Sequence, residues 1–160
     1  MSPLATASGP LDRGVRLVTM VTEDNKRLVR RFYEEVVNTG EVANLERFIS
    51  PDCVETDGKT RFVSGIEGMR RHILGVREVY ADLHLTIERQ IAEGDWVVSV
   101  VTASGSHAGV WLNMKPTGRK LVFSAVNVDR VLDGRIVEHG GAANMLEPLL
   151  EAGALEVVSS

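Results

Sequence analysis

The run Lys120-Leu121-Val122-Phe123-Ser124-Ala125-Val126-Asn127-Val128-Asp129-Arg130-Val131-Leu132, then Asp133-Gly134, then Arg135-Ile136-Val137-Glu138-His139, decides the fold. Asp-Gly between two β-rich runs is a hairpin signal, because both central positions of the tight turn need positive φ. The long arm is apolar on both faces. Phe123 and Ala125 share one side with Asn127 and Asp129, and Val122, Val126 and Val128 share the other. A sheet apolar on both sides needs two covers. The reading therefore predicts helices over one face and a second copy of the chain over the other, a homo-oligomer (dimer or tetramer).

The preceding segments also have strand period. Leu83, Leu85, Ile87 and Ile91 alternate with His84, Thr86, Glu88 and Gln90, Glu93-Gly94-Asp95 turns, and Val-rich Trp96 to Gly105 returns. A loop holding Lys115-Pro116-Thr117-Gly118 leads into the long arm. Ahead of Asp82 the period is helical. Leu28, Val29, Phe32, Tyr33, Val36 and Val37 form one stripe, with Thr22 as the expected N-cap and Asn38-Thr39-Gly40 as the stop. A short helix is expected over Val42 to Ile49, and a strand and loop over Cys53 to Phe62, turning at Asp57-Gly58. Ser64 and Glu67 read as a capping box before a helix that buries Ile66, Met69, Ile73, Val76 and Tyr80. A short helix or turn over Met145 to Ala152 closes the domain. Helices first and a meander of long strands after them make an α+β fold, a cone-shaped curved antiparallel sheet with N-terminal helices packed on one face.

The 160 residues suit one domain. Residues 1–20 read as a disordered tail rich in Ser, Ala, Gly and Pro, residues 21–155 as the domain, and residues 156–160 as a frayed end. Met20, just ahead of the first apolar stripe, is a candidate start. No basic region precedes an apolar run, as in a signal peptide, and no apolar run approaches membrane-spanning length. Net charge is −4 without a basic block, which argues against nucleic acid; Arg70, Arg71 and Arg77 read as a solvated helix face. The single cysteine, Cys53, reads as a buried small hydrophobe, consistent with a reducing, cytoplasmic location. Four histidines show no metal-ligand spacing, and no Gly-rich phosphate loop is present, so neither metal nor cofactor is expected.

Asp129 is the strongest candidate for chemistry, because a carboxylate enclosed by apolar neighbours is readier to exchange a proton. The plain alternative is an ion pair with an arginine near the hairpin. His107 shares a strand face with Val101, Ala103 and Gly105 and is expected to point into the cone near its mouth as a proton-transfer aid. Tyr33, Phe32, Trp111 and Met114, with Phe123, are read as the lining for a small hydrophobic aromatic ligand, or else as core. His139 is less informative, since neighbouring Glu138 points to the opposite face.

Asn25 to Val36, Gly105-Ser106-His107-Ala108-Gly109, Pro116-Thr117-Gly118-Arg119 and Asp129 to His139 together resemble the SnoaL-like polyketide cyclases of the nuclear transport factor two-like superfamily. The resemblance covers roughly Thr22 to Ala154. It implies cofactor-free closure of an aromatic polyketide ring by an intramolecular aldol reaction, with an aspartate of the penultimate strand as acid and base. That aspartate falls on Asn127, which exchanges no proton near neutrality but can orient a carbonyl or enolate oxygen. Asp129 lies two residues on, on the same face. The ending Glu138-His139-Gly140-Gly141 lacks the Trp that usually follows the His and is more like the branch described as anthracycline hydroxylases. Three readings stay open: acid/base enolisation leading to ring closure, or to hydroxylation with a separate reductase; a non-catalytic binding or dimerisation module; and a ketosteroid-isomerase-like proton transfer.

Overall fold

Helix α1 spans Pro10–Phe32 and runs on into a π-helical turn, Tyr33–Val37, in the computed structural model, which describes residues 10–156. The helix therefore starts well before Thr22. Pro10 opens it, a position where proline's missing N–H costs nothing, and Thr22 lies inside it with its hydroxyl donating to the Val18 and Thr19 carbonyls. Of the tail expected over residues 1–20, the part from Pro10 on is helical and Met20 lies within the helix. Residues 1–9, and the chain end from 157 on, lie outside the described residues. The stop is as read: Gly40 takes a φ of +77°, and a Cβ there would sit 2.9 Å from Arg77 Nε.

The helix expected over Val42 to Ile49 is only a 3₁₀ turn, Leu45–Arg47. Ile49 is claimed instead by β1 (Ile49–Asp57), where it pairs with Ile136, and the Ile136 N–H donates to Phe48 O at 2.7 Å. Strand β2 (Thr60–Val63) folds back on β1, and α2 covers Gly65–Val79. Ser64 does stand at the N-cap of α2, but its side chain caps nothing: the hydroxyl lies by Cys53 O at 3.5 Å, so the capping box does not form. The long strands follow as β3 (Tyr80–Glu93), β4 (Trp96–His107), β5 (Lys120–Leu132) and β6 (Arg135–Ala143), and α3 is Leu146–Glu151.

One six-stranded sheet results, in the order β2-β1-β6-β5-β4-β3, antiparallel except where β1 runs parallel to β6. Bulges in the β3–β4 and β5–β6 ladders bend it. Val29, Phe32, Tyr33 and Val36 from α1 and its π turn meet Met69 and Ile73 of α2 over Val97, Val131, Ile136 and the buried Cys53. Burial and nearby carboxylates push the Cys53 thiol up to about 12, which makes it the inert small hydrophobe expected. A second cluster, Tyr80, Leu83, Leu121, Leu149 and Ala152, closes the other end under α3.

Arginines on α2 are not merely a solvated face, although Arg71 is exposed. Arg70 donates to Val42 O at 2.5 Å, and Arg77 Nη1 donates to Val37 O, Asn38 O and Leu83 O at 3.0–3.1 Å. Arg77 thereby ties the end of the first helical segment to β3. Arg77→Ala leaves those half-buried carbonyls without their charged donor, and is expected to lower stability by about 2 kcal/mol. A urea melt checks this as a lower midpoint at unchanged slope.

Candidate active site

Period two puts Phe123, Ala125, Asn127 and Asp129 of β5 on the inner face of the sheet, below α1 and α2. What stands beside Asp129 depends on a bulge. The tight turn pairs Leu132 with Arg135 and Val131 with Ile136, and a regular ladder would then set Glu138 opposite Asp129. The register instead shifts by one residue after Val131, so Arg130 faces Glu138 and Asp129 faces His139. The shift exchanges a carboxylate for an imidazole as Asp129's inner-face neighbour and sends Glu138 to the outer side, where it pairs with Arg61 at 2.7 Å.

Asp129 is completely buried, yet both its oxygens have partners. Oδ1 lies 2.8 Å from His139 Nδ1, and Oδ2 accepts from the Tyr33 hydroxyl at 3.2 Å. Tyr33 opens the π turn at the end of α1, which joins helix and sheet through one carboxylate. Burial, then the charge and hydrogen bond of Asp129, push the Tyr33 phenol well above its ordinary range, against a smaller opposing donation from Asn127. Tyr33 stays a donor. For His139, burial disfavours the charged ring, but the Asp129 charge, its hydrogen bond and the more distant Glu55 outweigh it, so the imidazole holds its proton above the usual histidine range.

A second imidazole stands alongside. His72 of α2 places Nδ1 2.5 Å from Glu55 Oε2, and its ring meets that of His139 edge-on at 5.7 Å. Glu55 is nearly buried and, although burial alone would raise it, its bonds to His72 and Ser64 and the charges of His72 and His139 hold it below the ordinary carboxylate range. Both rings line an apolar cavity of about 200 Å³ with Phe32, Tyr33, Phe123 and Asn127. An adjoining arm of about 430 Å³, reached past Trp111, Phe62 and Gly141, opens to solvent. Together the two arms reach the roughly 300–1,000 Å³ of sites for drug-sized ligands. Gly141 is required here: a Cβ would lie 2.6 Å from Asn127 Oδ1 and 2.7 Å from Val126 O.

The expected site residues thus divide. Asn127, Tyr33, Phe32 and Phe123 line the cavity, Trp111 lines its open arm, and Asp129 lies just behind the wall, reaching the space through His139. Met114 packs into the second core cluster. His107 does not reach the mouth of the cone. Its strand end is covered by the loop that returns as Arg119, whose carbonyl accepts from the His107 N–H, and its ring is enclosed beside Tyr80 with only Thr117 Oγ1 at 3.4 Å from Nδ1. Sequence reasoning passed over His139, whose role hangs on the bulge, and His72 with Glu55, which only the packing of α2 on β1 brings together. Among the described residues no cluster of His, Cys, Asp and Glu is arranged to hold a metal ion.

Residues 27–151 match the family model described as SnoaL-like polyketide cyclase. The nogalonic acid methyl ester cyclase of Streptomyces nogalater is 27% identical over 104 residues, 64% of this chain and 78% of that one. The aklanonic acid methyl ester cyclase DnrD of Streptomyces peucetius is 27% identical over 118 residues, 70% of this chain and 79% of that one. Among solved structures, AclR of Streptomyces galilaeus, described as "a putative hydroxylase", superposes with a TM-score of 0.72 at 26% identity and covers 86% of each chain.

The His139 environment has a pH signature. Its folded value is raised above the unfolded one, about 6.5, so the proton-linked stabilisation is complete below about pH 6.5 and is lost as pH rises through the folded value. Urea midpoints measured from pH 5.5 to 9 are expected to fall across that window for the native chain, and His139→Gln is expected to remove this part of the slope.

Proposed function

The chain belongs to the SnoaL-like polyketide cyclase family, and on that footing we propose that it is a polyketide-tailoring enzyme that enolises a carbonyl-activated carbon of an aromatic polyketide or similar hydrophobic ring substrate and then closes a ring. The observation that carries this reading is the Asp129–His139 pair at the wall of an apolar cavity. Asp129 fixes the Nδ1–H tautomer and orientation of His139. Nε2, the ring nitrogen left over, takes the proton from carbon. Asn127, too weak a base to replace an aspartate, donates an amide N–H to the carbonyl oxygen as it gains charge. In this assignment Asp129 is a positioning residue and His139 the catalytic one, while His107 has no contact with the reacting atoms. Phe32, Tyr33 and Phe123 clasp the ring system, and Trp111 shields the open arm.

A second reading, hydroxylation of the same enolate by oxygen with a separate reductase, is favoured by the likeness to AclR. Aklanonic acid methyl ester and nogalonic acid methyl ester are suitable probes. In buffer alone, without oxygen, the native chain is expected to convert at least one of them to a ring-closed isomer. His139→Gln is expected to cut the rate by about 10²-fold or more, and Asn127→Ala by about 10²-fold. Strict dependence on oxygen or a reductase shifts the assignment to hydroxylation. No turnover together with unchanged ligand affinity in both variants favours a binding module.

The outer face of the sheet carries Ile91, Trp96, Val122 and Val126, each at least 40% exposed. So much apolar surface on one face is unusual for a monomer, and the proposal extends to a homo-oligomer packed through it. Light scattering is expected to give a dimer or tetramer mass, and Val122→Lys with Val126→Lys is expected to dissociate it.

A further inference from the structure

We propose that His72, held by Glu55, is a second catalytic residue of this site, the acid that gives a proton to the oxygen formed on ring closure. The inference rests on the enolisation reading above and deepens it. Among the side chains lining the inner cavity, four are polar: Tyr33, His72, Asn127 and His139. Tyr33 already donates to Asp129, and an amide such as that of Asn127 exchanges no proton near neutrality. His72 is therefore the remaining group beside His139 that can give or take one. It is built as His139 is built: Nδ1 lies against a nearly buried carboxylate, which leaves Nε2 for the cavity. Both rings line both arms, but they differ in a useful way: the His72 side chain is 42% exposed, in contact with solvent, whereas that of His139 is 13% exposed.

Ring closure needs two proton transfers at different atoms. His139 Nε2 takes the proton from the activated carbon, leaving an enolate. The enolate carbon attacks a second carbonyl of the same molecule; a C–C bond forms, the C=O π bond opens, and its electron pair goes to oxygen. His72 Nε2–H protonates that oxygen. One imidazole ends with an extra proton and the other lacks one. The rings stand edge-on at 5.7 Å, close enough for a single water to pass the proton from His139 back to His72. The reaction is an isomerisation, balanced without oxidant or cofactor. A lone Asp–His pair serves carbanion formation equally well for closure or hydroxylation. Closure adds a task that carbanion formation lacks, protonation of the alkoxide it forms, and a second imidazole beside the pair supplies the acid for it.

The test separates carbon–hydrogen exchange from closure, with aklanonic acid methyl ester as the probe in D₂O. Proton NMR reads exchange of the activated C–H, and product formation reads closure. His72→Gln is expected to keep exchange within about threefold of the native rate and to slow closure by about 10²-fold or more at unchanged KM. Glu55→Gln, which removes the direct partner of His72 and only a distant charge from His139, is expected to slow closure by about tenfold and to affect exchange far less, a selectivity that mere loosening of α2 would not produce. Closure at the native rate in folded His72→Gln, checked by its thermal melt, would overturn the proposal, as would equal loss of exchange and closure. Failure of the underlying reading looks different: exchange would then persist in His139→Gln.

Discussion

A carboxylate with no solvent contact must be paired, since an isolated buried charge costs several kcal/mol. Asp129 is such a group, and much of the molecule is arranged around pairing it. One oxygen faces His139 on the adjacent strand and the other faces Tyr33 at the π turn of the first helix. Helix, sheet and cavity wall are thereby fixed relative to one another by a single side chain. The same constraint gives His139 its tautomer, its orientation and its hold on a proton. A polar cluster of this kind costs stability when only partly satisfied, and here each Asp129 oxygen has a donor.

The bulge in the β5–β6 ladder is the device that makes the pairing possible. A regular register would oppose Asp129 with Glu138, two carboxylates side by side in an apolar setting. With one residue displaced, Glu138 turns outward to Arg61 and His139 turns inward. Gly141 then lies opposite Asn127 and leaves room for that amide to stand over the cavity floor. The two departures from the usual family ending, Asn127 and the glycines after His139, are thus in contact with each other. Where the resemblance implies an aspartate, Asn127 offers a neutral donor, and in the proposed mechanism the proton work falls to the neighbouring imidazole.

The architecture was legible in local signals. Asp133-Gly134, the change from helical to alternating period at Asp82 and the double-faced long strand are each fixed by short-range chemistry, and their strands form as read. The helix start was not. Composition around residues 3–10 suggested a tail, whereas Pro10, which tolerates a helix's first turn, was the overlooked signal. Within the site, Asp129 and Asn127 follow from strand period and Tyr33 from the helical stripe. His139 does not, because a one-residue register shift is invisible without the partner strand. Nor do His72 and Glu55, which are separated along the chain and meet only through tertiary packing. His107 is the converse case: strand period places it on β4, but the loop that returns over it as Arg119 encloses its ring away from the cavity-lining residues.

If Asp129 controls the protonation of His139, a histidine NMR titration will register that control. The native chain is predicted to show His139 as the Nδ1–H tautomer when neutral, titrating above the ordinary value near 6.5. In Asp129→Asn, burial is opposed only by the more distant Glu55, and the midpoint is predicted to fall below that of the native chain. A His139 that titrates at or below 6.5 in the native chain, or that is indifferent to the substitution at Asp129, would mean that Asp129 does not hold the proton there.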